Sequence, residues 1–161
     1  MKKYVIAALI GLSSFGLMAE ETNKTSFIER FSVSPYYSLR SEGNLNFDDA
    51  GAGVEMTFHV NKYIGISLNA EGWNDLRGKT VDHLGAGLTT TLPLGNSKFA
   101  LYAQGGFGYN TENEDTDMII RGGVKFQLFD RFGLFGDIGQ GVVLQDGNTY
   151  QQIRTGINIS F

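Results

Sequence analysis

Eight segments of this chain alternate residue by residue between an apolar and a polar face, and a period of two admits strands and little else. The last segment is the clearest. Phe161, Ile159, Ile157 and Ile153, with Thr155, share one face, and Ser160, Asn158, Gly156, Arg154 and Gln152 share the other. The first sets Phe27, Phe31, Val33, Pro35, Tyr37 and Leu39 against Arg30, Ser32, Ser34, Ser38 and Arg40. Between them the alternation returns over Ala50 to Val60, Ile64 to Glu71, His83 to Leu92, Phe99 to Tyr109, Met118 to Leu128 and Leu134 to Leu144. The seventh is the least regular, with Gln140 on its apolar phase and Phe135 and Val143 on its inner one. Two local breaks are expected. Pro35 removes a ladder donor, which suggests a bulge, and a bulge among the glycines flanking Gln140 would turn that side chain inward.

Ahead of the strands, Lys2 and Lys3 precede an apolar stretch from Tyr4 to Met18, with Ala19 at the expected cut. This is the pattern of a secretory signal, although Leu17 stands where a small residue is preferred. The run is too short for a membrane helix, and no later run approaches the ~20 apolar residues one needs. The chain therefore divides into a signal at 1–19 and one domain at 20–161, about 140 of the 161 residues. Cleavage removes two of 13 basic residues and none of 17 acidic ones, so the net charge moves from −4 to −6. Nucleic acid is an unfavourable partner for such a chain. The absence of cysteine excludes disulfides, thiolate metal sites and a thiol nucleophile. The 22 glycines show no three-residue period, and they suit curved strands and turns.

An even number of alternating segments about 10 residues long is the pattern of an outer-membrane β-barrel. A soluble sandwich or lipocalin-like barrel preserves the same alternation with its faces exchanged. Three features favour the membrane arrangement. The chain stops on Phe161 inside a strand, which must then be paired or leave an exposed edge. Alternate connectors are short, at Asn61-Lys62, Gly95-Asn96-Ser97 and Asp130-Arg131. Most charged strand residues also fall on the phase opposite the apolar one. The remaining connectors (Ser41 to Phe47, Trp73 to Asp82, Thr111 to Asp117 and Gln145 to Asn148) are mostly longer and acidic, with Asp117 among their carboxylates. Short turns and both termini are expected on the periplasmic side. Aromatic girdles are expected at Phe58, Tyr63, Phe99, Phe126, Phe129, Phe132 and Phe161, and at Tyr36, Tyr37, Trp73, Phe107, Tyr109 and Tyr150.

The glycine-aromatic stretch Leu101 to Tyr109, the segment Leu84-Gly85-Ala86-Gly87-Leu88, the signal and the terminal Phe161 together resemble small OmpA/OmpX-type barrels. The resemblance covers nearly the whole chain after the signal. It implies an all-β, eight-stranded antiparallel up-and-down transmembrane barrel in a Gram-negative outer membrane, among outer-membrane lipids and lipopolysaccharide. The strand ending in Phe161 resembles the signal read by the barrel-assembly machinery, and no appended peptidoglycan-binding domain is expected. Such motifs specify architecture and not activity. Some barrels of this size modify lipid A through histidine and serine at the lipid-facing surface. Here His83 lies on the inward phase, neither histidine has a His-x-Ser arrangement, and no catalytic residue, cofactor or metal site is assigned.

An eight-stranded barrel is just wide enough for side chains to fill it. Its inward phase collects Arg30, Glu55, His59, Glu71, Arg121, Lys125, Asp137 and Arg154, with Glu55, Arg121, Asp137 and Arg154 near mid-depth. Buried charges persist when paired and hydrogen-bonded, so a salt-bridged lumen is expected. That favours a non-enzymatic structural or surface-interaction protein. The alternative is a narrow conduit for ions or small solutes, which the many inward glycines would permit.

Overall fold

The computed structural model describes residues 30–42, 47, 49–73 and 81–161. The signal at 1–19, Phe27 and the Trp73 side chain lie outside what is described. The strands are β1 (Phe31–Glu42), β2 (Asp49–His59), β3 (Ile64–Trp73), β4 (His83–Pro93), β5 (Phe99–Asn110), β6 (Thr116–Phe129), β7 (Phe132–Val143) and β8 (Thr149–Ser160). Each pairs antiparallel with the next, and β1 pairs with β8, so the sheet closes as a barrel without an edge. Strands of 10 to 14 residues match those that cross a bilayer at a tilt.

The alternation resolves into an inverted barrel. Leu68, Phe107 and Ile120 are 58%, 59% and 63% exposed, whereas Glu71 and Arg154 on the other phase are each 1% exposed. A soluble barrel places these faces the other way round. In water this one would present a continuous apolar band far larger than a monomer tolerates.

Turn chemistry explains the short connectors. Asn61 Oδ1 accepts hydrogen bonds from the backbone N–H groups of Tyr63 and Ile64, closing β2 to β3. Gly95 adopts φ 60° between β4 and β5, a conformation that costs glycine nothing.

Neither expected bulge forms. Pro35 keeps the β1–β2 register, opposite Val54, and the β1–β8 register is the same on both sides of it. The missing donor falls on the β8 side, where Asn158 Nδ2 donates to Ser34 Oγ at 2.8 Å and carries the pairing across the gap. Gln140 stays outward, between Ile120 of β6 and Gln151 of β8. It lies three residues from the end of β7, beside a second amide side chain, so it needs no inward turn. The irregularity occurs instead in β6, between Gln127 and Phe129, next to the tight Asp130-Arg131 turn.

Candidate functional site

Arg154 is the centre of the lumen. Its Nη2 lies 2.8 Å from Asp137 Oδ2 and its Nη1 lies 3.0 Å from Glu55 Oε2, while Nε donates to both Asp137 oxygens at 3.1 Å. A side chain from β8 thus pairs with its cross-strand neighbour on β7 and reaches across the barrel to β2. The guanidinium also sits 4.8 Å from the centre of the Tyr36 ring and 5.9 Å from that of Phe135. Tyr36, Tyr102 and Phe135 are buried together, with edge-on ring contacts of 6.5 Å. This explains Phe135 on the inner phase: the missing Cβ of Gly156 leaves room for its ring.

Two glutamines join this hub to the rest. Gln104 accepts from Arg154 and Arg121 through Oε1, at 3.1 and 3.2 Å, and donates through Nε2 to Glu55 and Ser67. Gln152 accepts from Arg121 at 2.7 Å and donates to both Glu71 oxygens at 3.0 Å. Ser38 donates to Glu71, Tyr102 donates to Asp137, and Thr89 donates to Ser67 at 3.3 Å. One connected network therefore takes a side chain from every strand. Each glutamine amide offers an acceptor and donors at once, so it links cations to anions that do not touch.

Five of the eight expected interior residues belong to this network: Glu55, Glu71, Arg121, Asp137 and Arg154. His59 lies toward the short turns, with its Nε2 at 3.1 Å from Ser32 Oγ. Lys125 sits 5.0 Å from the centre of the Tyr102 ring, and Arg30 precedes β1, half-buried, outside the described bonds of the network. Toward the long connectors is a second cluster. His83 Nε2 lies 2.9 Å from Asp117 Oδ2, which accepts from the Tyr150 hydroxyl at 2.8 Å. Arg40 stacks on Tyr150 at 3.8 Å. Asp117 is thus a buried lumen residue of β6 and not part of a solvated connector. Tyr36 and Tyr150 are likewise lumen residues at 5% and 3% exposure, because both stand on the inner phase. Tyr37, Phe107 and Tyr109 do face outward, as do Phe99, Phe129, Phe132 and Phe161 at the other end.

Several inward glycines stand against large side chains of the lumen. A Cβ on Gly53 would meet Tyr36, on Gly85 Asn69, on Gly108 His83, on Gly139 Arg121 and on Gly141 Tyr150. At these five positions the space is already taken by a large neighbour. A cavity of about 490 Å³ opens at the long-connector end and one of about 250 Å³ at the short-turn end, and they share no lining residue. Among the described residues, no group of histidine, aspartate and glutamate could hold a metal ion.

Solved structures settle the fold. A designed transmembrane β-barrel superposes at a TM-score of 0.63 and 14% identity, covering 81% of this chain and 94% of its own. Neisserial surface protein A follows at 0.61 and 9%, covering 81% and 96%. The N-terminal β-barrel domain of Pseudomonas aeruginosa OprF gives 0.57 and 11%, covering 80% and 97%. The fold is that of the small outer-membrane barrels. No family of known sequences matches the chain, and no curated protein matches it by sequence. At such identities the architecture is shared, and function has to be argued from the residues.

Proposed function

We propose that the chain is a non-enzymatic integral protein of a Gram-negative outer membrane, with a structural or surface-interaction role and a lumen closed by its polar network. The observation that carries this reading is the Arg154 hub. It joins strands on opposite sides of the barrel at mid-depth and is 1% exposed. The apolar outer face supports membrane residence, because the closed sheet pairs each strand with both neighbours and the side chains facing out suit hydrocarbon.

On this reading residues 1–19 are the cleaved export signal, 20–161 form the barrel, and both termini face the periplasm. Outer-membrane lipids and lipopolysaccharide surround the barrel, and the barrel-assembly machinery inserts it through the strand ending in Phe161. The histidines support no lipid-modifying chemistry. His83 is held inside by Asp117, away from the lipid-facing surface where a lipid substrate would lie.

Refolding in the presence of lipid vesicles tests membrane residence. The barrel should enter the vesicles and migrate faster on gels before boiling than after. A soluble folded product that leaves the vesicles empty would overturn it.

A further inference from the structure

Among the described residues, the two ends of the barrel carry opposite charge. Of these residues, the long-connector end bears Asp49, Asp82, Glu112, Glu114, Asp115, Asp117 and Asp146 against Arg40. Among the same residues, the short-turn end bears Arg30, Lys62, Lys98, Lys125 and Arg131 against the side chain of Asp130 and the terminal carboxylate of Phe161. In a chain with an overall excess of acid, this concentration of cations at one mouth is a separate feature.

Three of those cations, Lys98, Lys125 and Arg131, line the cavity of about 250 Å³ at that end. They come from different places in the sequence. The β5–β6 pairing sets Lys125 opposite Ala100, close to the 94–98 turn, and the β6–β7 turn adds Arg131. The turns are tied together: the Gln127 N–H donates to Lys98 O at 2.8 Å, Gln127 Nε2 donates to Asp130 O at 3.1 Å, and Lys98 Nζ donates to Leu128 O at 3.4 Å. None of the described ion pairs joins Lys98, Lys125 or Arg131 to a carboxylate. The same cavity is bordered by Phe99, Phe126, Phe132 and Leu134. Phe99 and Phe126 stack at 4.6 Å, and Phe99, Phe132 and Leu134 face outward. Cations therefore meet rings at the level where hydrocarbon gives way to head groups.

We propose that this mouth is a binding site for a phosphoryl anion, supplied by the head group of an anionic glycerophospholipid whose chains lie along the phenylalanines. This rests on the outer-membrane reading above. The volume is below the roughly 300–1,000 Å³ of whole small-molecule sites, which suits a head group whose apolar part stays in the membrane. Lys and Arg at a membrane surface attract anionic lipid electrostatically, and basic pockets between spanning segments hold lipid phosphates. A free phosphate offers the same anion without the apolar part.

The test is an amide NMR titration of the isotopically labelled protein in neutral maltoside micelles, with folding checked by heat-modifiable migration. The probes are dihexanoyl phosphatidylglycerol, a neutral short-chain diacylglycerol and inorganic phosphate. Saturable shifts at Lys98, Lys125 and Arg131 with phosphatidylglycerol alone are expected. The K98A/R131A variant should bind it roughly thirtyfold more weakly, from the loss of two surface cations. An equal response to inorganic phosphate would confirm the anion site and assign it to the free ion. No saturable shift with either phosphorylated probe, in protein that is folded, would overturn the proposal and leave membrane residence untouched. So would an affinity that K98A/R131A leaves unchanged. A titration of the unaltered protein at high salt gives an independent reading, since affinity that does not fall as salt screens the cations contradicts the site.

Discussion

At the level of single residues, Arg154 shows how a charge can be buried. Its guanidinium is held by Asp137, Glu55 and Gln104 on three strands and is covered by the rings of Tyr36 and Phe135. Removing it leaves two carboxylates without their cation. Arg154→Ala should therefore cost about 3–5 kcal/mol, the range for breaking a buried pair, read as a lower urea midpoint for the barrel in vesicles. Gly141 gives an independent check. An added methyl would strike the Tyr150 ring, which is fixed by Asp117 and Arg40, so Gly141→Ala should cost about 1–3 kcal/mol by overpacking. The phase of the alternation places every charged member of the network inside, and it also places Gln104 and Gln152 there. What it does not reveal is that these neutral amides join the charged groups. Aromatic character points Tyr36 and Tyr150 toward the girdle, although their phase puts them in the lumen. For Asp117, the acidic connector beside it hides a residue that pairs with His83.

At the level of the strand, the alternation is the most reliable feature in the sequence. Leu68 and Asn69 are neighbours on β3, with one facing out and the other buried. An arginine at Leu68 should destabilise the barrel by about 2–4 kcal/mol, the cost of a cation on the lipid face near mid-depth. The same readout applies as for Arg154. A destabilisation within error of zero would mean that this face meets water. Local exceptions are harder to read. Pro35 and Gln140 break the pattern in sequence, yet the register passes both unchanged. The side chain of Asn158 spans the gap at Pro35, and Gln140 lies close to the end of its strand. Meanwhile the irregularity that does form, in β6, has no polar or proline signal of its own. It follows from how Phe129 and Phe132 meet across a two-residue turn.

At the level of the whole molecule, eight strands and their order follow from the period and the connector lengths. The contents of the lumen do not, because they depend on closure. Only when β8 meets β1 does Arg154 come within reach of Glu55, 99 residues earlier, and Asn158 within reach of Ser34, 124 residues earlier. The inward glycines depend only on neighbouring strands: hairpin pairing turns them from apparent gaps into sockets for Tyr36, Asn69, His83, Arg121 and Tyr150. On the proposed reading, this packed network seals the barrel. Planar-bilayer recording of the refolded protein tests it most directly. A sealed lumen predicts a membrane that stays silent at neutral pH while gel migration confirms insertion. Reproducible unitary currents from the unaltered protein, abolished by substitution of Arg121 or Arg154, would contradict the seal and establish a conducting path through the network.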